Sequence, residues 1–257
     1  MFSPAGSFRL FGFRGIDVFV HWSWFVAAYF IFQWTGGSGF GDLVNFLAIY
    51  GSLFGIVVLH EYGHALACRS VGGEAKHIVL WPLGGVAFVQ PPPRPGAVLW
   101  SIAAGPLVNV ALAPLLFFLA VSNVGAWQAY FFLMFQINLA LLVFNLMPIY
   151  PLDGGQIVQS ILWFFVGRAK SLQITAGLGL AVAAFAFLAA ILGVSDTIPL
   201  LRFVSPLMLI LLSAFVAWQA WNGYRVAKVM AKMEAVERDS LQRAMRRASQ
   251  MTTTPRD

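Results

Sequence analysis

Charged residues, cysteine and long polar stretches are scarce in this sequence. Only 10% of its 257 residues are charged and 60% are hydrophobic, and uncharged runs long enough to cross a bilayer recur along the chain. These runs exclude an ordinary soluble domain and predict an all-α polytopic membrane protein. The single cysteine, Cys68, excludes an internal disulfide and a thiolate cluster. Any bound metal must therefore use His, Asp or Glu.

The apolar runs predict six transmembrane helices, one of them broken. They lie at about 16–34, 43–67, 97–121, 127–166 (interrupted), 172–193 and 199–222. No basic segment followed by small residues precedes the first run, so we expect a retained helix and not a signal peptide.

The basic residues are distributed unevenly between the two sides of this predicted bundle. Lys and Arg number 16 against 10 acidic residues. Their placement on one side predicts an integral protein of the cell membrane with both termini cytoplasmic, and it argues against nucleic-acid binding. Only Arg202 lies near the other side. The cytoplasmic set comprises Arg9, Arg14, Arg69, Lys76, Arg94, Arg168, Lys170 and the eight basic residues of the tail.

The predicted organisation is a cytoplasmic segment at 1–15, a membrane core at 16–222 and a basic, helical cytoplasmic tail at 223–257. The tail either continues the last span into solvent, lies on anionic lipid or pairs with a partner helix. In the loop at about 69–96, β-branched and aromatic residues flank Pro82-Leu83-Gly84-Gly85. This pattern predicts a short membrane-associated β-hairpin, with an apolar surface loop as the alternative.

The second span contains the sequence His60-Glu61-Tyr62-Gly63-His64. Two histidines four residues apart lie on one face of a helix and can bind the same metal ion. Glu61 points aside, where it can accept a proton from water at the metal, which is the arrangement of zinc metalloproteases. The alternative is a helix with satisfied core histidines, which leaves Glu61 without a role.

A catalytic zinc site needs a third protein ligand and an open position. Asp153 is the other carboxylate that falls well inside the spans, in the segment LMPIYPLDGGQ. Its prolines and glycines break the helix, and an ionisable group at membrane depth is usually functional. His21, in the first span, is a competing candidate for the third metal ligand. The alternative is that His21 makes a polar contact between helices.

Taken together, these motifs resemble the site-2 protease family of intramembrane zinc metalloproteases. The resemblance rests on the HExxH sequence at 60–64, on NLMPIYPLDGG at 145–155 and on Gly105 and Asn109, which fit a Gly-x-x-x-Asn pattern. It covers roughly residues 16–222. PDZ and CBS domains, which many members contain, do not fit in this chain, so the resemblance is to a compact branch such as the sporulation type.

The resemblance implies that His60, His64 and Asp153 bind one Zn²⁺ ion and that Glu61 is the general base. Asn145 would bind substrate or stabilise the oxyanion, or form a helix-to-helix hydrogen bond. The implied activity is cleavage of a membrane-anchored protein within or next to its transmembrane segment, in regulated intramembrane proteolysis. A separate regulatory membrane partner could select the substrate.

Five residues are candidates for substrate binding. The hairpin could hold an extended substrate by main-chain hydrogen bonds at a strand edge, and Asn109 could either contact the substrate or support close helix packing. These candidates are Pro82, Leu83, Gly84, Gly85 and Asn109.

Two other functions remain open at this point. A divalent-metal transporter also places His and Asp on broken helices at the midplane, but it needs no Glu61 and should show internal repeats. A proteolytically inactive membrane scaffold would not need the complete ligand set.

Overall fold

The computed structural model describes residues 6–34, 39–81, 84–194 and 205–252. The chain divides into two compact units, one of Met1–Met147 with Leu152–Ile157 and one of Pro148–Pro151 with Val158–Asp257. The elements are β1 (Ser7–Phe13), β2 (Ile16–His21), α1 (Ser23–Trp34), α2 (Phe40–Ser70), β3 (Glu74–Trp81), β4 (Gly84–Gln90), α3 (Pro95–Ser122), α4 (Gly125–Leu146), α5 (Asp153–Val166), α6 (Arg168–Ile191) and α7 (Pro206–Thr252).

Five of the described helices, α2, α3, α4, α6 and α7, are long and apolar enough to cross a membrane. The predicted helical, polytopic membrane fold is therefore confirmed. The first predicted span differs, because its helix begins only at Ser23 and residues 16–21 form strand β2. Helix α1 has 12 residues. Its length of about 18 Å is less than the roughly 30 Å hydrocarbon core.

The four strands form one sheet in the order β1-β2-β3-β4. The outer pairs β1–β2 and β3–β4 are antiparallel, and β2 and β3 run parallel. The predicted hairpin is thus β3–β4, and a second hairpin from the N-terminal segment, β1–β2, extends the sheet. The turn residues of the β3–β4 hairpin, Pro82 and Leu83, lie outside the described residues. Strand β4 is an edge of the sheet, so half of its backbone groups face away from β3.

The N-terminal hairpin has a turn that the sequence signals. Both central residues have positive φ, 50° at Arg14 and 71° at Gly15, as a two-residue type I′ turn requires. The Arg69 guanidinium, at the end of α2, donates hydrogen bonds to the carbonyls of Arg14, Gly15 and Ala75. One cation therefore joins this turn, the start of β3 and the end of α2.

The sheet packs against α2 through an apolar core. Its strands contribute mainly β-branched side chains, and all six residues of β2 are buried. This packing places β4 alongside the part of α2 that carries the HExxH sequence. The core includes Ile16, Val18, Val20, Ile78 and Leu80 from the strands and Val57, Val58, Tyr62 and Ala65 from α2.

In the second unit, α6 and α7 pack closely through small residues. A Cβ built on Gly179 would lie 3.2 Å from that of Ala220, which is the close approach typical of membrane helices. Helix α7 continues without a break from the last apolar run into the basic residues beyond 223.

Candidate metal centre

Three side chains of the first unit bring ligand atoms together. His60 Nε2 lies 3.1 Å from Asp153 Oδ2 and 3.1 Å from His64 Nε2, and His64 Nε2 lies 3.4 Å from Asp153 Oδ2. The histidines come from successive turns of α2, and the aspartate opens α5. Both histidines are buried, at 5% exposure.

The spacing of these atoms fits a tetrahedral zinc ion. Zinc–nitrogen and zinc–oxygen bonds of about 2.0–2.1 Å at tetrahedral angles put neighbouring ligand atoms about 3.3 Å apart. The three observed distances span this value. Two imidazole nitrogens and one carboxylate oxygen are also a ligand set of catalytic zinc sites, which leaves a fourth position for water or substrate. His60, His64 and Asp153 therefore fit Zn²⁺ in both geometry and chemistry.

Helix α3 orients the ring of His64. The Nδ1–H of His64 donates to the backbone carbonyl of Ser101 at 2.9 Å, so the lone pair is on Nε2, the atom that faces Asp153. One turn further along α3, Gly105 leaves the space that the imidazole fills, because a Cβ there would overlap the ring. The Gly-x-x-x-Asn glycine thus supports close packing at the ligand itself.

His60 is oriented by the asparagine of the same motif. Its Nδ1 lies 2.6 Å from Asn109 Oδ1, and Asn109 is fully buried. The Asn109 amide nitrogen donates to Asn138 Oδ1 at 2.8 Å, and Asn138 Nδ2 donates to the Asn109 carbonyl at 2.9 Å. These contacts support a ligand-orienting role for Asn109, and its substrate contact stays a prediction.

Ser101 and Asn138 were not among the predicted site residues. Ser101 is not recognisable from its type, because its backbone carbonyl makes the contact. Two signals were nevertheless present. Ser101, Gly105 and Asn109 are four residues apart, on the face of α3 that meets two histidines also four residues apart. Asn138 is a polar residue in the middle of an apolar helix, where such residues usually have a partner.

Asp153 is positioned by an interruption of the helical path. Helix α4 ends at Leu146 and α5 begins at Asp153. Gly154 allows the chain to return tightly, because a Cβ there would overlap the carbonyls of Leu146 and Met147. The carboxylate lies in the first turn of α5, where the partial positive charge of the helix N-terminus stabilises it.

Glu61 lies beside the three ligands without belonging to the group they form. It is 6% exposed, and its Oε2 accepts a hydrogen bond from the backbone N–H of Ala87 in β4, at 2.9 Å. The sheet edge therefore holds the carboxylate that the sequence predicts as the general base.

The remaining predicted residues have different surroundings. Asn145 is half-buried in the last turn of α4, and its side chain makes no hydrogen bond to any residue that the structure describes. His21 stacks on Trp81 at 4.0 Å and bonds Ser23, and it is not in the metal-ligand group found among the described residues. Gly84 and Gly85 pair with Trp81 and Leu80 in the β3–β4 ladder.

Comparison with known proteins gives a consistent picture. The model of peptidase family M50 matches residues 48–125 and 120–190, together more than half of the chain. A zinc metalloprotease of Methanocaldococcus jannaschii is 31% identical over 87% of this chain and 62% of its own length. A protein of Synechocystis sp., also named as a zinc metalloprotease, is 32% identical over 86% of this chain and 60% of its own length.

The match to one solved structure covers a larger share of that protein's chain. The site-2 protease from Methanocaldococcus jannaschii has a TM-score of 0.59 and 28% identity, and the match covers 85% of this chain and 95% of that one. The chain thus spans about three fifths of the length of the two curated relatives but nearly all of the solved membrane structure.

Proposed function

The chain belongs to peptidase family M50, the site-2 proteases, and from that premise we propose that it hydrolyses a peptide bond of a membrane-anchored protein. The bond would lie within or next to the substrate's transmembrane segment. The observation that carries this proposal is the convergence of three ligand atoms that lie 3.1–3.4 Å from one another, with Glu61 fixed beside them by Ala87.

Each residue has a distinct part in the proposed hydrolysis. His60, His64 and Asp153 would hold the metal, and bound Zn²⁺ would act as a Lewis acid that lowers the pKa of water and polarises the scissile carbonyl. Glu61 would accept a proton from the attacking water and pass it to the leaving amine. Asn145, near the end of α4, would donate a hydrogen bond to the developing oxyanion.

The edge of β4 would bind the substrate as an added strand. Ala87 directs its N–H away from β3 and toward Glu61, and Gly85, two residues earlier, faces the same way because strand residues alternate. A substrate segment paired there would be extended and held beside Glu61.

Gly85→Pro removes one outward N–H at a position where an edge strand tolerates proline. We expect a higher KM with unchanged zinc content, and an unchanged KM would contradict this placement.

The orientation that we propose puts both termini and the sheet on the cytoplasmic side of the cell membrane. The N-terminal strands and the connection between α2 and α3 belong to one sheet, so they lie on the same side, and both carry the basic residues that favour the cytoplasm. Cleavage would then fall toward the cytosol, because His60 lies in the part of α2 nearer the sheet. A membrane partner could regulate it.

The test compares the wild-type chain with Glu61→Gln. Purified protein in detergent is assayed for bound zinc and for cleavage of single-span substrates. The neutral isostere cannot accept the proton, so we expect cleavage to fall at least about 10²–10⁴-fold. Zinc content should stay the same, because Glu61 is not one of the ligands.

Undiminished cleavage by Glu61→Gln would refute the proposed role of this residue. Absence of cleavage by both proteins, together with metal uptake into vesicles that contain the wild-type chain, would favour a divalent-metal transporter. An inactive scaffold would show neither activity.

A further inference from the structure

Asn138 is a fully buried polar side chain in the middle of α4. Its helix buries a narrow stripe, Met134, Asn138 and Leu142, at four-residue spacing. An amide in this apolar setting is costly unless both of its ends are hydrogen-bonded. The catalytic roles described above do not use it.

Both ends of the Asn138 amide bond a single residue, Asn109. A backbone carbonyl can only accept, so the group that faces the Asn109 carbonyl at 2.9 Å must be the Asn138 NH₂. The Asn138 oxygen then faces Asn109 and accepts from its NH₂ at 2.8 Å. This pairing leaves the Asn109 side-chain oxygen directed at His60 Nδ1, at 2.6 Å.

The orientation of Asn109 decides which nitrogen of His60 carries the proton. An oxygen opposite Nδ1 requires the proton on Nδ1, so Nε2 keeps its lone pair toward His64 and Asp153. If Asn109 were turned over, its NH₂ would face Nδ1 and favour the opposite tautomer. The proton would then be on Nε2, where a metal ion has to bind.

We propose that Asn138 is a positioning residue of the metal centre: it fixes the Asn109 amide and thereby selects the His60 tautomer that binds a divalent cation. The inference rests on the metal site of the proposed function. It does not depend on which substrate is cleaved, or on whether any is.

The first test measures the zinc Kd of Asn138→Leu by competition with a chromophoric chelator in detergent. Losing an outer-shell partner of a metal ligand typically weakens affinity about 10–100-fold, and we expect a change of that size. The matched control is Tyr130→Phe, which removes a different interhelical hydrogen bond of α4, the one to Ser52 on α2, and should leave the Kd unchanged. An unchanged Kd in Asn138→Leu would overturn the proposal.

A second test separates orientation from packing. Asn109→Asp offers His60 an acceptor oxygen whichever way the side chain is turned, so it no longer needs to be oriented. In that background, adding Asn138→Leu should cost little zinc affinity. An equal loss in both backgrounds would show a packing effect and refute the positioning role. If Asn138→Leu alone fails to fold, the double variant still provides the test, provided that circular dichroism shows it to be folded. A double variant that folds but does not regain zinc binding would also refute the positioning role.

Zinc affinity distinguishes this inference from the proposed function. If the zinc results follow the expected pattern but no membrane-anchored substrate is cleaved, the peptidase proposal fails and the positioning role stands. If cleavage depends on Glu61 while Asn138→Leu binds zinc normally, the reverse holds.

Discussion

The two halves of the metal centre are built in different ways. His60 and His64 lie on the uninterrupted helix α2, whereas Asp153 follows a break between α4 and α5. In the helical half, residue spacing alone puts two ligands on one face. In the broken half, no regular period determines where the carboxylate points. It is placed by a tight return of the chain at Gly154 and by the N-terminus of α5.

This difference shows which part of a site depends on local structure and which on tertiary contacts. A helix places the Cα atoms of its ligands but leaves the rings free to rotate and to change tautomer. Residues of α3 remove that freedom, through the Ser101 carbonyl and Asn109. The broken segment needs no tautomer control, because either oxygen of a carboxylate can bind a metal. It needs control of the backbone instead.

The largest effect is expected from Asp153→Ala, which removes the whole contribution of the broken half. Two histidines alone bind zinc weakly, so we expect the zinc Kd to rise by more than the roughly 100-fold upper range for an outer-shell partner. Peptidase activity should be lost with it. Zinc titration and cleavage of a single-span substrate measure the two effects. Zinc that stays fully bound would remove Asp153 from the ligand set.

In the helical half, Gly105→Ala should have the next largest effect on zinc. The added methyl group would overlap the His64 imidazole, so the ring must leave its place or α2 and α3 must separate. We expect the zinc Kd to rise about 10–100-fold, as for other losses of ligand orientation. Ala104→Gly, at the neighbouring position, serves as a control for altered helix propensity. An equal rise in both variants would assign the effect to the helix and not to His64.

Much of the helical half could be predicted from the sequence, and less of the rest. The HExxH spacing predicted His60 and His64 as ligands, the scarcity of acids at membrane depth predicted Asp153, and the structure brings these three together. The general-base role of Glu61 stays a prediction. The sequence shows the four-residue spacing on α3 and the lone polar Asn138, but not the contacts that these residues make. The Ser101 carbonyl has no side-chain signature, and the partner of Asn138 is known only once α3 and α4 are packed. Both contacts depend on how the helices pack against one another.

The N-terminal sheet was not predicted for a different reason. Residues 16–34 form one apolar run, which predicts a single helix, whereas Ile16–His21 is a strand. Fully buried strands and buried helices have the same composition over a few residues. The Arg14-Gly15 turn was the local signal that distinguishes them, since type I′ turns join paired strands.

In the broken half, Gly154→Ala should act on stability more than on zinc. Its methyl group would meet the backbone carbonyls of Leu146 and Met147, which cannot rotate away as a side chain can. We expect a loss of about 1–3 kcal/mol in the free energy of unfolding, as for other overpacked positions. The zinc Kd should rise less than in Gly105→Ala. Thermal unfolding and zinc titration of both variants test this contrast, and a larger zinc effect in Gly154→Ala would reverse it.

The smallest effect on zinc is expected from His21→Ala, which tests whether the centre has a third part. His21 ends β2, where it stacks on Trp81 and bonds Ser23. Ser23 N–H donates to His21 Nδ1, so this ring has partners of its own in the sheet. Its loss should leave the zinc Kd unchanged and lower stability by about 1–3 kcal/mol, through lost contacts at the junction of β2 and α1. A rise in the zinc Kd as large as that of Asp153→Ala would make His21 a ligand. The centre would then have a third part besides its helical and broken halves.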